Sequence, residues 1–197
     1  MKKAILILLG GLLMAPLANA VPIYALHVDT SSLTPGSTIW LDFDLDNGGG
    51  TFNPETFHVY GPNTDGTLTG EVFPDTGDVT GDLPDFTMDN AVFSTHTEGL
   101  NVQSFFDVFV DINLPSINPL ADSGTTFSLS AYTPNFNDVL LDSQPLITID
   151  VGADGTVTTQ SFSPDASVTA VPEPATLTLL AAGVAGLIAR RRARTLS

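Results

Sequence analysis

Three aspartates at alternate positions form the sharpest candidate site in this chain of 197 residues. The spacing of Asp42, Asp44 and Asp46 matches the first three carboxylate ligands of an EF-hand calcium loop. The pattern then departs from that loop, because Gly48 falls one place late and Asn53 stands where a bidentate Glu is needed. The same alternation puts the three carboxylates on the solvent face of a strand. A solvated strand face is therefore favoured over a specific calcium site.

Other aspartates leave two further calcium hypotheses. A weaker site remains open if Asp29 or Asp111, from neighbouring strands, approaches the first three carboxylates. A second acidic stretch carries five aspartates with glycines between them. These are Asp75, Asp78, Asp82, Asp85 and Asp89. Their spacing matches no metal loop, so we expect an exposed acidic loop that binds calcium loosely if at all.

Three histidines raise the question of hydrolytic catalysis. His27, His58 and His96 could pair with Asp and Ser in a triad, since triads are not tied to one sequence order. The sequence contains no Gly-x-Ser-x-Gly elbow and no His-Glu-x-x-His helix. His27 and His58 lie inside predicted strands beside apolar neighbours. We therefore expect structural or surface histidines, and a protein that is not an enzyme.

Four aromatic residues fall on the polar faces of predicted strands. They are Trp40, Tyr60, Phe109 and Tyr132. Exposed rings of this kind stack on sugars in carbohydrate-binding sandwiches. The alternative is that the rings cover the edge of the sandwich or fill the ends of its core.

The distribution of charge is extreme. All six Lys and Arg residues lie in the terminal segments, and all 22 Asp and Glu residues lie between Val21 and Ala189. Such a polyanion repels nucleic acid, so nucleic acid is excluded as a partner. There is no cysteine, which excludes disulfides, thiol catalysis and thiolate metal sites. No cofactor is expected, with calcium left open.

The central region reads as short alternating strands between Gly, Pro, Asn and Asp turns, without a helical pattern. Strands are predicted at 23–29, 39–45, 56–60, 67–73, 91–95, 106–112, 127–132, 147–151 and 156–158. The Asp154-Gly155 pair is a strong hairpin signal. We predict an all-β, antiparallel, jelly-roll-like β-sandwich over residues 21–160. Residues 161–170 are rich in Ser, Thr, Pro and Asp and are interpreted as a linker.

The N-terminus has the three parts of a signal peptide over residues 1–20. Lys2 and Lys3 supply the positive charge, and an apolar stretch follows them. Ala18 and Ala20 are the small residues that signal peptidase reads. We expect the mature chain to start at Val21.

Residues 171–197 also have three parts. The first is the motif Val171, Pro172, Glu173 and Pro174, in which the prolines prevent a helix. The second is an uncharged apolar run over 175–189, about 22 Å long as a helix and able to insert if its flanks snorkel. The third is the basic group Arg190, Arg191, Arg192 and Arg194, which would hold the end in the cytoplasm. We predict a single short transmembrane helix, with a buried helix of a soluble domain as the alternative.

This tail resembles the PEP-CTERM sorting signal, found on proteins that Gram-negative bacteria export and deliver to an exosortase. The segment Val28-Asp29-Thr30-Ser31-Ser32-Leu33 resembles the start of one uncharacterised PEP-CTERM group. The resemblance implies transient anchoring in the inner membrane, exosortase cleavage near the Pro-Glu-Pro motif, and delivery to the cell surface or extracellular matrix. It implies no activity for the delivered domain.

The function expected from these features is that of a non-enzymatic surface or matrix protein associated with exopolysaccharide. The alternative is a calcium-dependent carbohydrate-binding module with Asp42, Asp44 and Asp46 near the ligand. The expected partners are signal peptidase, exosortase, extracellular polysaccharide and, before processing, the membrane through the C-terminal helix.

Overall fold

The computed structural model describes residues 23–136, 140–141 and 145–171. The expected signal peptide with Ala18 and Ala20, the motif from Pro172 onward, the C-terminal helix and the arginine cluster lie outside these residues. Among the described residues there is no helix, and so none long and apolar enough to cross a membrane.

Twelve strands make up the described part of the chain. They are β1 (Ile23–Asp29), β2 (Thr38–Asp46), β3 (Thr56–Thr64), β4 (Thr67–Val72), β5 (Asp78–Asp82), β6 (Asp85–Asp89), β7 (Ser94–Asn101), β8 (Phe105–Asn113), β9 (Thr125–Tyr132), β10 (Ile147–Val151), β11 (Val157–Ser161) and β12 (Ala166–Val171). They form two six-stranded sheets in which every neighbouring pair is antiparallel. Sheet I has the order β12-β1-β8-β3-β6-β5, and sheet II has the order β11-β10-β9-β2-β7-β4. The predicted antiparallel sandwich is confirmed.

The first eight strands explain the jelly-roll character of the fold. β1 pairs with β8, β2 with β7 and β3 with β6, so the pairs are nested as in a long hairpin wound into two sheets. The chain departs from that pattern at β5, which pairs with β6 at the edge of sheet I. The chain between β4 and β5 therefore crosses from one sheet to the other at this edge.

Alternation along the strands builds the core between the sheets. On β2 the residues Ile39, Leu41, Phe43 and Leu45 are buried, and those between them face outward. Aromatic rings join the two sheets across the core. Phe43 of sheet II meets Phe86 of sheet I edge-on at 5.2 Å between ring centroids, and Phe57 stacks on Phe127 at 5.6 Å. Burial of such side chains, at about 25 cal/mol per Å², is the main force that holds the sheets together.

Two expectations about local structure are wrong. Residues 161–170 are not a linker, because β12 occupies the second half of this segment and pairs with β1 from Ala166 to Val171. The acidic stretch is not simply a loop, because β5 and β6 form a hairpin within it. All three strands are short, at five or six residues, and β5 and β6 begin and end with aspartate. They are held by ladder hydrogen bonds and a few inward residues, such as Phe86, Met88 and Ala166, which gives little periodic signal.

Candidate functional site

The predicted carboxylate row lies on the outer face of sheet II. Asp42 and Asp44 are half-buried there and Asp46 is exposed. Hydroxyl side chains flank them on the neighbouring strands, at Thr97, Thr95, Ser130, Ser128 and Thr126. The Thr97 hydroxyl donates a hydrogen bond of 2.6 Å to Asp42 Oδ1. This part of the outer face of sheet II is therefore a strip of carboxylate oxygens flanked by hydroxyl groups.

Burial changes the acidity of this row. It raises the pKa of Asp44 to about 6, and repulsion from Asp42 and Asp46 adds to the effect. Burial also raises the pKa of Asp42, although the hydrogen bond from Thr97 opposes it. Protons therefore compete with any cation for Asp44 at mildly acidic pH.

The row does not wrap around an ion. Asp46 Oδ1 accepts the Gly48 N–H at 2.9 Å, which closes a local turn. Among the described residues, the group whose potential ligand atoms converge within 4.8 Å contains none of the three aspartates. Asp29 and Asp111 lie in sheet I, across the core, so the hypothesis that they complete this site is wrong. Calcium binding by the row stays a prediction.

The aromatic residue Trp40 is covered instead of being presented to solvent. Its exposed fraction is 7%. Phe136 stacks over it at 5.8 Å with an interplanar angle of 11°, and Phe73 meets it edge-on at 4.6 Å. Phe73 and Phe136 are themselves exposed, and Tyr132 lies 5.7 Å from Phe136. Trp40 is therefore not an exposed ring, and it lies on a central strand of sheet II under a cover formed by Phe73 and Phe136.

The other two aromatics lie on the outer face of sheet I. Tyr60 stacks on Phe109 with 5.3 Å between centroids and an angle of 16°, and His58 stacks on Tyr60 at the same distance. Rings this close and this parallel cover each other's faces. Tyr60 and Phe109 are both half-buried, and each ring covers part of a face of the other.

Two histidines make exposed ion pairs on the same face. His27 Nδ1 lies 2.6 Å from Asp107 Oδ1, and His58 Nε2 lies 2.7 Å from Asp85 Oδ1. Burial works to lower the pKa of His58, but Asp85 and Asp111 outweigh it and the pKa is raised. Both histidines are surface residues, one of the outcomes expected from the sequence.

The third histidine lies in a cluster that sequence reasoning missed. His96 points inward from β7 and its side chain is 0% exposed, packed 4.2 Å from the Phe86 ring. Its Nδ1 lies 2.8 Å from Asp75 Oδ1 and its Nε2 lies 3.3 Å from Glu98 Oε2. One ligand atom each from Asp75, Asp82 and His96 lies within 4.8 Å of the other two. This group, which we call the edge cluster, sits where the chain crosses between the sheets.

The sequence carried one usable signal for the edge cluster. Ser94, His96 and Glu98 alternate along β7 and are all buried, so three polar residues occupy the inward positions of one strand. Inward polar residues need partners. The partners Asp75 and Asp82 come from a different part of the chain, which spacing alone does not reveal.

Electrostatics within the edge cluster favours a cation. Burial works to lower the pKa of His96, but the hydrogen bonds to Glu98 and Asp75 and their negative charges outweigh burial and raise it. Glu98 Oε2 also accepts the Leu83 N–H at 2.8 Å. Even a protonated imidazole leaves an excess of negative charge among these carboxylates.

A second buried carboxyl group lies at one end of the core. Glu55 is 2% exposed, and among the described residues neither of its carboxylate oxygens has a hydrogen-bond partner. Burial raises the pKa of Glu55 to about 7, and the nearby Thr125 hydroxyl opposes this shift without reaching hydrogen-bond geometry. Asn90 contacts the Glu55 backbone through its side-chain oxygen and its N–H. The carboxyl group is therefore neutral in mildly acidic solution and about half ionised near pH 7.

The C-terminal strand leads directly into the predicted sorting motif. Val171 is the last residue of β12 and pairs with Ile23 at the start of β1. Pro172 follows at once in the sequence. The expected new N-terminus and the motif therefore leave the same end of sheet I.

Comparison with known proteins identifies the tail and leaves the domain without a relative. The fold defines the class as an all-β sandwich protein. Residues 170–193 match the family model described as PEP-CTERM protein-sorting motif. No curated protein and no solved structure matches the chain. The chain is therefore an exported, cell-surface protein sorted by an exosortase.

Proposed function

We propose that the sandwich is a non-enzymatic component of the extracellular matrix of a Gram-negative bacterium, where it associates with exopolysaccharide. The proposal is supported by the position of β12 (Ala166–Val171), which ends within the first residues of the matched sorting motif at 170–193. A structural strand that ends at the motif delivers a complete sandwich when the tail is removed. The domain between the signals carries only acidic charge and histidine, which suits a hydrated polysaccharide gel.

The route of delivery is part of the same proposal. Signal peptidase would cut after Ala20, and the helix over 175–189 would anchor the chain in the inner membrane until exosortase acts. The ion pairs of His27 and His58 support a non-enzymatic role, because both histidines lie with their carboxylate partners on the outer face of a sheet. Catalytic groups more commonly line a concave pocket.

Intact mass and terminal peptide mapping test the proposal on native protein from membrane, surface and culture fractions. A surface species that starts at Val21 and ends between Val171 and Pro174 is expected. A matched variant with Glu173→Ala tests whether the motif directs cleavage, and we expect it to accumulate in the inner membrane. Native protein that retains 175–197 in the inner membrane would contradict delivery to the matrix.

A second candidate is a calcium-dependent carbohydrate-binding module on the outer face of sheet II. The observation that favours it is the strip of Asp42, Asp44 and flanking hydroxyls beside the exposed rings of Phe73 and Phe136. A ligand of the folded state raises the melting temperature by mass action. A calcium-dependent rise that EDTA reverses and that Asp44→Asn removes would support this candidate. No rise at millimolar calcium would exclude it.

A further inference from the structure

The edge cluster brings together a mixed set of donors from three separate parts of the chain. Asp75 comes from the segment between β4 and β5, Asp82 ends β5, and His96 lies on β7. Their three ligand atoms lie within 4.8 Å of one another. An imidazole nitrogen with carboxylate oxygens is a donor set of zinc and related divalent transition-metal ions. Calcium prefers oxygen donors throughout, so this set differs from the one expected on β2.

The two nitrogens of His96 have different surroundings. Nε2 faces Glu98 Oε2 at 3.3 Å, and that oxygen is fixed by the Leu83 N–H at 2.8 Å. Glu98 is 2% exposed, and its Oε2 already has two hydrogen-bond partners. Nδ1 lies 2.8 Å from Oδ1 of Asp75, which is an exposed residue. A histidine that ligates a metal through one nitrogen usually donates its other N–H to a carboxylate, which is the position of Glu98.

The backbone holds the ligands in place before any ion arrives. Thr76, next to Asp75, and Thr95, next to His96, exchange backbone hydrogen bonds of 3.2 and 3.0 Å. Their hydroxyls lie 2.8 Å apart. Gly77 follows with a φ of 77°, and a Cβ there would lie 2.3 Å from the Phe93 carbonyl oxygen. The crossing segment is therefore fastened to β7 beside both ligands.

The site carries an excess of negative charge that no Lys or Arg side chain among the described residues offsets. Asp75, Asp82 and Glu98 surround one imidazole, and every Lys and Arg of the chain lies at residues 2–3 or 190–194. A divalent cation would offset two of these three negative charges, and the exposed positions of Asp75 and Asp82 leave an entry path. Ligands around a tetrahedral zinc ion lie about 3.4 Å apart, given bonds of about 2.0–2.1 Å. On binding, the 2.8 Å between His96 Nδ1 and Asp75 Oδ1 would lengthen, and any of the other spacings that exceeds about 3.4 Å would shorten from at most 4.8 Å.

We propose that the edge cluster binds one divalent transition-metal ion, with zinc the best match, through His96 Nδ1 and the carboxylates of Asp75 and Asp82. Glu98 is the positioning residue that orients the imidazole. Water fills the remaining coordination position. The ion ties the β4–β5 crossing to β7 and so closes one edge of the sandwich.

The test uses the full chain in a non-ionic detergent, treated with EDTA and then exchanged into chelator-free buffer. Binding of Zn²⁺ is measured by calorimetry, and Co²⁺ is added in parallel because its visible absorption reports the ligand geometry. We expect one tight site and a saturable rise in melting temperature. Asp82→Asn removes an exposed ligand with little risk to folding, and we expect its affinity for Zn²⁺ to fall at least tenfold.

The matched control is Asp78→Asn, an exposed aspartate on the same strand outside the cluster. Its affinity should stay within about twofold of the parent chain, since removal of a distant surface charge has a small effect. Equal losses of Zn²⁺ affinity in Asp78→Asn and Asp82→Asn would overturn the proposal, because the acidic surface would then bind cations non-specifically. Calcium binding as tight as zinc binding would overturn it as well. So would the absence of binding at millimolar Zn²⁺.

Discussion

Replacement of Glu55 by Gln should make the sandwich more stable at alkaline pH and flatten its pH dependence. The carboxyl group is buried without a hydrogen-bond partner among the described residues, and its pKa is about 7 against an ordinary value of 4.5. Each tenfold change in proton affinity is worth about 1.4 kcal/mol. The difference therefore corresponds to about 3 kcal/mol of unfolding free energy.

The direction of the effect follows from the raised pKa of Glu55. Below pH 4.5 the carboxyl is neutral in both states, and its full contribution to stability is present. Between pH 4.5 and about 7 the unfolded chain ionises while the folded chain does not, so stability falls as the pH rises. The loss is complete just above pH 7. A glutamine side chain has nearly the same shape and does not ionise, so the Glu55→Gln variant escapes this loss.

Urea denaturation at intervals from pH 4.5 to pH 8.5 measures the effect. Glu55→Gln should match the parent chain at the acidic end and exceed it by up to about 3 kcal/mol at pH 8.5. Glu71→Gln, an exposed replacement on β4, controls for the loss of one negative charge. If the parent chain and Glu55→Gln fall in parallel across this range, the carboxyl group is already solvated and the reasoning is refuted.

Three further perturbations test other features. Asp44→Asn should raise the free energy of unfolding by about 1 kcal/mol at pH 8 and leave it unchanged at pH 4, because the pKa of Asp44 is raised to about 6. The full pKa shift would give a larger value, which is reduced here because Asp44 is partly exposed. Asp46→Asn, an exposed replacement in the same row, is the control in the same denaturation experiment. Gly99→Ala should lower the free energy of unfolding by about 1–3 kcal/mol, because the new Cβ would lie 2.3 Å from Thr69 Oγ1. The fluorescence emission of the single tryptophan should shift. Adding Thr69→Ala to this variant should restore part of the lost stability. Hydrogen exchange should show protected amides in β12 at positions bonded to β1, whereas uniformly fast exchange over 166–171 would restore the linker interpretation.

The sequence predicted the fold class because most strands present apolar residues at every second position. β2 and β8 are the clearest cases, with Phe43 and Val108 among buried residues that alternate with polar ones. β5, β6 and β12 were missed because each is only five or six residues long and buries at most two apolar side chains. So short a segment gives little periodic signal.

The edge cluster was beyond sequence reasoning for a different reason. Asp75 and His96 are 21 residues apart, and their contact depends on the chain crossing between sheets after β4. Trp40 was open to two interpretations for the same reason, since its cover comes from Phe73 and Phe136 on distant segments. Periodicity reports which face a residue occupies, and it does not report what lies over that face.

The pairing of β1 with β12 has a consequence for the order of events during export. On the proposed export route the N-terminal signal leads, so β1 would reach the far side of the membrane first and β12 last. Until then one edge of sheet I has no strand beside it and offers unpaired backbone groups. Because the matched motif begins at residue 170, within β12 itself, the step that closes the sheet is also the step that brings the motif out. On that route, completion of folding and readiness for cleavage would coincide, and a partly translocated chain would present neither a finished domain nor a substrate.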